Sequence, residues 1–181
     1  MTYEIVIAGF GGQGVLSMGK ILAYSGIMEN KEVSWMPSYG PEQRGGTSNV
    51  TVIVSDDAVS SPVVNEYDIV IALNQPSLDK FAPRVKKGGI LVFDPNGIHN
   101  IPDRKDISIY QVAATEESEK MGNDKTFNMI VLGGVLKVAP IVTLESVIAG
   151  LKKSLPERHH KLIPMNEEAI KRGMDVVHKI N

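Results

Sequence analysis

The stretch YEIVIAGFGGQGV, residues Tyr3–Val15, decides the fold of this chain of 181 residues. Its first part, Tyr3–Ala8, is rich in Ile, Val and Ala with little alternation, which is typical of a strand buried on both faces. A glycine-rich turn follows, and Val15–Met28 has the apolar spacing of a helix. A buried strand, a bare turn and a helix predict the first βα unit of an α/β domain.

The rest of the chain continues this alternation. Further strands are predicted at 32–36, 48–55, 68–73, 89–93 and 107–113, and further helices at 76–82, 114–121, 127–139, 144–154 and 166–179. The region 36–65 contains strands but no helix, so we expect an antiparallel edge or hairpin there. The sequence predicts a doubly wound, mainly parallel sheet with a Rossmann-like first βα unit and a helical C-terminus. We expect residues 1–181 to form a single domain.

Composition excludes several classes of partner and compartment. The formal net charge is −2, which predicts binding neither to nucleic acid nor to a membrane surface. No apolar run reaches the roughly 18 residues that a membrane-spanning helix needs, and the N-terminus lacks the pattern of a signal peptide. The chain contains no Cys, which favours a cytoplasmic location and means that it cannot hold an all-cysteine iron–sulfur cluster by itself.

The glycine turn has two interpretations. Gly9, Gly11 and Gly14 have the G-x-G-x-x-G spacing of dinucleotide-binding turns, and Gly12 is an additional glycine. Such a turn brings backbone N–H groups to a phosphate, or it lets another subunit's backbone come close. A dinucleotide site also needs an acid at the end of the second strand, and residues 33–37 contain none. An independent NAD(P)- or flavin-binding oxidoreductase domain therefore rests on the turn alone.

The segment Pro37–Thr47 is the second unusual feature. Arg44 offers a planar fork for a carboxylate or phosphate, and Gly45 and Gly46 permit close approach of another molecule. The segment leaves the carboxyl end of the second strand, where ligands bind in doubly wound folds. An internal turn held by a pair between Arg44 and Glu42 is the alternative, and both interpretations stay open here.

Together the two motifs, GFGGQGV at Gly9–Val15 and PSYGPEQRGG at Pro37–Gly46, resemble the gamma subunit of 2-oxoacid:ferredoxin oxidoreductases. The runs Ile71–Gln75 and Asn128–Gly134 continue the resemblance, so it covers most of the chain. The form of the second motif resembles the 2-oxoglutarate type more than the pyruvate type.

The resemblance implies a division of labour among subunits. Such enzymes decarboxylate a 2-oxoacid on thiamine diphosphate, which the alpha and beta subunits bind, and transfer the acyl group to coenzyme A. Electrons pass to ferredoxin through iron–sulfur clusters in those subunits or in a ferredoxin-like delta subunit. This chain would be a subunit that is not a self-sufficient enzyme, supporting assembly and coenzyme A access. A docking domain with no effect on catalysis is the alternative.

The resemblance also indicates which residues face coenzyme A or the alpha subunit. These site residues are Gly9, Gly11, Gly12, Gln13, Gly14, Tyr39, Arg44, Gly45 and Gly46. No catalytic residue and no metal ligand is expected in this chain.

Overall fold

A computed structural model describes residues 1–39 and 47–181. Within these residues the chain forms one seven-stranded sheet with the order β2-β3-β1-β4-β5-β6-β7. The strands are β1 Thr2–Phe10, β2 Glu32–Tyr39, β3 Thr47–Ser55, β4 Tyr67–Ala72, β5 Val85–Phe93, β6 Ser108–Gln111 and β7 His178–Lys179. The helices are α1 Val15–Met28, α2 Gln75–Phe81, α3 Ala114–Lys120, α4 Phe127–Val138, α5 Leu144–Ser154 and α6 Ile163–Val176. Short 3-10 turns occur at Ala82–Arg84, Asp124–Thr126 and Glu157–Leu162.

The sheet has a parallel centre and antiparallel edges. Strands β1, β4, β5 and β6 are parallel neighbours, while β3 pairs antiparallel with both β1 and β2. The predicted α/β fold, with its hairpin between residues 36 and 65, is confirmed. Strand β2 runs three residues further than predicted, because Pro37–Tyr39 continue in register with β3. Pro37 is tolerated there since β2 is the edge strand, whose outer side needs no N–H donor.

The C-terminus differs from the prediction. A helix was expected over residues 166–179, but α6 ends at Val176 and β7 follows it. Strand β7 pairs antiparallel with β6, and the Ile180 amide donates to the Ile109 carbonyl at 3.0 Å. Pairing with the exposed edge of β6 outweighs the helical pattern, and a pairing partner so distant in sequence leaves no local signal.

Strand β1 is buried on both of its faces, as the sequence predicts. Ile5 and Ile7 point into a large cluster that also contains the apolar sides of α1, α3, α4, α5 and α6. Val6 and Ala8 point to the opposite face and pack in a smaller cluster with Leu78 of α2. We call the side carrying Ile5 and Ile7 the α1 face and the other the α2 face.

Helices α4 and α6 cross at two glycines. A Cβ atom added to Gly133 would overlap the carbonyl of Ile170, and one added to Gly173 would overlap the carbonyl of Ile130. Each glycine therefore receives the backbone of the opposite helix. This reciprocal contact sets the close approach of the two helices and fixes α6 over the α1 face.

We expect Gly133→Ala to destabilise the fold by at least about 2 kcal/mol, because its Cβ meets a rigid backbone rather than a side chain that can rotate. Urea denaturation followed by circular dichroism measures the change. Lys137→Ala is the matched control, since Lys137 is exposed on the same helix and should change stability by less than about 0.5 kcal/mol. Equal stability of the two variants would contradict the proposed backbone contact.

Candidate functional site

The carboxyl edge of the sheet carries the glycine turn of the predicted site. Because β1, β4, β5 and β6 are parallel, their carboxyl ends meet at one edge. The glycine turn lies there, after β1. Asn74 follows β4 at the same edge, and Asp94 follows β5.

The register of β2 and β3 brings the described start of the second motif, Pro37–Tyr39, to the same edge. The backbone of Tyr39, the last residue of β2, is paired with Ser48, and Ser48 is paired with Gly9. The backbone of Tyr39 therefore lies two strands away from the glycine turn. Arg44, Gly45 and Gly46 lie outside the described residues, so their predicted roles stay predictions.

Gln13 holds the glycine turn in shape. Its Oε1 accepts a hydrogen bond from the Phe10 amide at 2.7 Å, and its Nε2 donates to the Leu73 carbonyl at 3.0 Å. The Gln13 amide also donates to the Phe10 carbonyl at 3.2 Å. The side chain thus ties the turn to the end of β4. The sequence predicts that Gln13 faces a ligand. In the structure its side-chain amide supports the turn from within the chain.

The glycines of the turn serve different purposes. A Cβ on Gly9 would lie 2.6 Å from Gln13 Oε1, and a Cβ on Gly14 would lie 2.5 Å from Asn128 Nδ2, so side chains of the chain itself fill both spaces. Gly12 has a φ of 96°, and no atom of the described residues lies within 4 Å of its Cβ position. Gly11 and Gly12 are exposed. Among Gly9, Gly12 and Gly14, it is at Gly12 that the described residues leave room for an outside molecule to approach the turn.

A cavity of about 530 Å³ lies beside the turn on the α1 face. Its lining consists of Gly12, Gln13, Gly14, Ser17, Thr115, Ser118, Glu119, Asp124, Lys125, Phe127 and Asn128. The hydroxyl and amide side chains can donate and accept hydrogen bonds. Two carboxylates stand against one ammonium group, so the lining is polar without being strongly basic. Helix α1 begins at this cavity, and Gly14, its N-cap, supplies no side-chain cap.

Asp94 holds Thr115, one of the residues that line this cavity. Its carboxylate accepts hydrogen bonds from the Thr115 amide at 3.2 Å and the Thr115 hydroxyl at 2.6 Å, which caps the first turn of α3. Asp94 is only 2% exposed. Burial raises the pKa of this carboxyl above its ordinary value, although the hydrogen bonds from Thr115 act in the opposite direction.

Asn74 is a buried polar residue at this edge that the sequence motifs did not single out as a site residue. Its Oδ1 accepts from the Ser77 amide at 2.8 Å and caps α2, a role that its position before Gln75-Pro76 indicates. Its Nδ2 is buried and has no hydrogen-bond partner among the residues that the structure describes. In the sequence, Asn74 is indicated by its position in the run Ile71–Gln75, which continues the family resemblance.

The topology removes the second-strand position of a dinucleotide site. In that arrangement the strand after the first helix lies parallel beside β1. Here the neighbour of β1 on that side is β3, which runs antiparallel, and β2 lies one strand further out. The absence of an acid at the end of β2 therefore agrees with the topology. Strand β2 is displaced from the position next to β1 where such an acid would bind the ribose of a dinucleotide.

Residues 1–39 and 47–181 contain neither a metal-binding cluster nor a membrane-spanning helix. No three His, Cys, Asp or Glu side chains there form a group that could hold a metal ion. Nor is any helix in this part of the chain long and apolar enough to cross a membrane.

We expect Asp94 to titrate above the ordinary Asp pKa of 3.8 in carboxyl-carbon NMR. Because the folded chain then binds this proton more tightly than the unfolded chain, the contribution of Asp94 to stability falls as pH rises from 3.8 through the folded-state pKa. The difference in unfolding free energy between wild type and Asp94→Asn should follow that interval.

Asp56 provides an internal contrast for this titration. Hydrogen bonds from the N-terminal ammonium group and Lys31 lower the pKa of Asp56 to about 2. Its contribution to stability should therefore be present above pH 3.8 and be lost as pH falls through about 2. If both carboxyls titrate together near 3.8, the buried environment assigned to Asp94 is wrong.

Comparison with known sequences supports the resemblance drawn from the motifs. A family model described as pyruvate ferredoxin/flavodoxin oxidoreductase matches residues 4–176. Ketoisovalerate oxidoreductase subunit VorA from Methanothermobacter marburgensis is 37% identical over 176 residues, covering 97% of this chain and 37% of the relative. 2-Oxoglutarate synthase subunit KorC from Methanocaldococcus jannaschii is 34% identical over 161 residues, covering 87% of this chain and 86% of the relative. The chain thus spans little more than a third of VorA but most of KorC.

Solved structures share the fold. The gamma subunit of a keto/oxoacid ferredoxin oxidoreductase from Geobacter sulfurreducens matches with a TM-score of 0.83 and 28% identity, over 97% of this chain and 96% of that chain. A 2-oxoglutarate:ferredoxin oxidoreductase from Magnetococcus marinus, solved with 2-oxoglutarate, coenzyme A and succinyl-CoA bound, matches with a TM-score of 0.87 and 20% identity. That match covers 97% of this chain and 31% of the other, and it shows the fold alone.

The motif pair, the mixed sheet and these matches agree with one another. The resemblance to gamma subunits of 2-oxoacid:ferredoxin oxidoreductases is confirmed. The chain belongs to the pyruvate ferredoxin/flavodoxin oxidoreductase family.

Proposed function

We propose that this chain is the gamma subunit of a thiamine diphosphate-dependent 2-oxoacid:ferredoxin oxidoreductase, and that it supports assembly and coenzyme A access. The observation that carries the proposal is the bare turn at Gly12, which adjoins a polar cavity at the carboxyl edge. The family membership and the coverage of a KorC relative over 86% of its length support a separate subunit of this kind.

The decarboxylation and the electron transfer belong to partner subunits in this proposal. Iron–sulfur clusters are held by thiolates, and this chain has no Cys. Alpha and beta subunits would hold thiamine diphosphate, and those or a ferredoxin-like delta subunit would hold the clusters that reduce ferredoxin. This chain would contribute its carboxyl edge to the assembly. We place the complex in the cytoplasm, as the absence of Cys favours.

The cavity beside Gly12 is suited to the amide-bearing arm of coenzyme A. Ser17, Thr115 and Asn128 offer hydrogen-bond donors and acceptors along its wall. Glu119 and Asp124 carry negative charge, which would repel the phosphates of the same molecule. We therefore place the neutral arm in the cavity and the phosphates outside it, where Arg44 is a candidate partner.

We favour 2-oxoglutarate as the substrate because the segment Tyr39–Gly46 resembles the 2-oxoglutarate type. Ketoisovalerate is the second candidate, since VorA is the relative with 37% identity. Partner subunits would shape the pocket that distinguishes the two acids.

Co-production of this chain with the alpha and beta subunits of its own organism tests the proposal. We expect the complex to reduce ferredoxin with 2-oxoglutarate, in a reaction that depends on coenzyme A, with a higher kcat/KM than with ketoisovalerate. Omission of this chain should abolish assembly or the response to coenzyme A. Tight binding of NADH, NADPH or flavin to the isolated chain would contradict the proposal and favour an independent nucleotide-binding domain.

A glycine pair separates the coenzyme A role from backbone strain. Gly12 and Gly88 have φ values of 96° and 80°, and in residues 1–39 and 47–181 neither has an atom within 4 Å of its Cβ position. Alanine causes comparable strain at both positions, but Gly88 lies in the first half of β5, away from the carboxyl edge that carries the site. We expect Gly12→Ala to raise the KM for coenzyme A several-fold and Gly88→Ala to leave it unchanged. Equal KM values would contradict approach at Gly12.

A further inference from the structure

The hydroxyl group of Thr115 lies between the cavity and a buried carboxylate. Thr115 lines the cavity beside the glycine turn and is partly exposed, whereas Asp94 is only 2% exposed. Thr115 Oγ1 donates to Asp94 Oδ2 at 2.6 Å, and this direction is fixed because a carboxylate has no proton to donate. A threonine hydroxyl carries one proton and two lone pairs. Toward the cavity, Thr115 can therefore only accept a hydrogen bond.

Ser118 repeats this arrangement one turn further along α3. It lines the same cavity, and its hydroxyl donates to the Thr115 carbonyl at 2.8 Å. Its single proton is used within the helix, so Ser118 also has only lone pairs left. Ser118 is 3% exposed, so the Thr115 hydroxyl is the better placed of the two for contact with a ligand.

The charged groups beside these hydroxyls are acceptors as well. Glu119 and Asp124 line the cavity, and an ionised carboxylate can only accept hydrogen bonds. We call Thr115, Ser118, Glu119 and Asp124 the acceptor wall. A ligand that meets this wall is bound well only where it presents an N–H or O–H group.

Hydrogen-bond donors come from other parts of the lining. The glycine turn follows β1 and Asp94 follows β5, and β4 lies between these two strands, whose ends are therefore roughly 10 Å apart. Gly12 is exposed and bears no side chain, so it presents the backbone, whose N–H groups are donors. Lys125 adds an ammonium group. The cavity thus combines an acceptor wall with donors at the turn and at Lys125.

We propose that Asp94 is a positioning residue that makes this cavity selective for a ligand N–H group, because it keeps Thr115 an acceptor. This inference rests on the proposed function and names the atoms of coenzyme A that meet α3: an amide N–H of its arm donates to Thr115. The carbonyl of a trans amide points away from its N–H, so that oxygen faces away from the acceptor wall. A phosphate or carboxylate oxygen at Thr115 would set lone pairs against lone pairs and is disfavoured.

Asp94→Asn reverses the polarity of Thr115 while preserving the shape of the site. The Thr115 backbone amide can only donate, and it bonds to Asp94 Oδ1 at 3.2 Å. An asparagine side chain keeps its oxygen toward this amide, which turns its NH2 group toward the Thr115 hydroxyl. The hydroxyl then accepts from residue 94 and is free to donate its own proton into the cavity.

Analogues of coenzyme A that carry an ester oxygen in place of an amide N–H test this role. Isothermal titration calorimetry on the assembled complex, at neutral pH and without 2-oxoacid, gives the Kd of coenzyme A and of each analogue. For wild type we expect one ester analogue to bind about five- to tenfold more weakly than coenzyme A, because its oxygen meets the lone pairs of Thr115.

The variants should change this ratio of ester Kd to coenzyme A Kd in a defined way. Thr115→Val keeps the shape of the side chain but removes the acceptor, and should reduce the ratio to less than about 2. Asp94→Asn should reduce it to about 1 or below, because the freed hydroxyl can donate to the ester oxygen. Thr115→Ser retains the hydroxyl beside Asp94 and should keep the wild-type ratio. The two Thr115 variants therefore decide the inference even where Asp94→Asn fails to fold.

Thr126→Val is the matched control. Thr126 is fully buried, its hydroxyl donates to the Asn123 carbonyl at 2.7 Å, and it is not among the described residues that line the cavity. It should keep the wild-type ratio, and circular dichroism checks that each variant is folded. Equal ratios for Thr115→Val and Thr126→Val, or an unchanged ratio in folded Asp94→Asn, would overturn this inference and leave the proposed function standing. If coenzyme A binds the partner subunits equally well with and without this chain, the proposed function itself fails.

Discussion

Strand β1 has to bury both of its faces and pair along both of its edges, and the rest of the structure depends on this constraint. Ile5 and Ile7 are fully buried on the α1 face, and Val6 is fully buried on the α2 face. Antiparallel β3 and parallel β4 satisfy the backbone on either side. The chain leaves β1 at the carboxyl edge, where a glycine-rich turn leads into α1.

The turn is rigid for a specific physical reason. Gln13 bonds to both the Phe10 amide and the Leu73 carbonyl, so the turn is attached to β4 as well as to β1. Gly9 and Gly14 let Gln13 and Asn128 pack against the backbone. The exposed backbone around Gly12 is held in place by the hydrogen bonds of Gln13 and by the packing of Asn128 against Gly14. A fixed, exposed turn therefore borders the polar cavity on the α1 face.

Local pattern predicted the central strands and most of the helices well, because burial on two faces and helical periodicity are properties of short segments. Strand β7 escaped prediction because His178–Lys179 carries no strand pattern and forms only against β6. Of the predicted site residues, the glycine turn and Tyr39 lie at one edge, two strands apart, through the register of three strands. The bracing role of Gln13 and the unmet donor of Asn74 depend on atoms from distant segments, which no motif encodes.

By itself the sequence determined the fold class, the family resemblance and the absence of thiolates for a cluster, because these follow from residue types and their spacing. Only the tertiary structure decided which glycine stays open. Asn128 fills the space at Gly14 from 114 residues away, whereas no residue that the structure describes reaches Gly12, and a spacing pattern treats the two alike. Only the tertiary structure, likewise, set β3 between β1 and β2, because strand order is a choice among long-range pairings of similar local sequence.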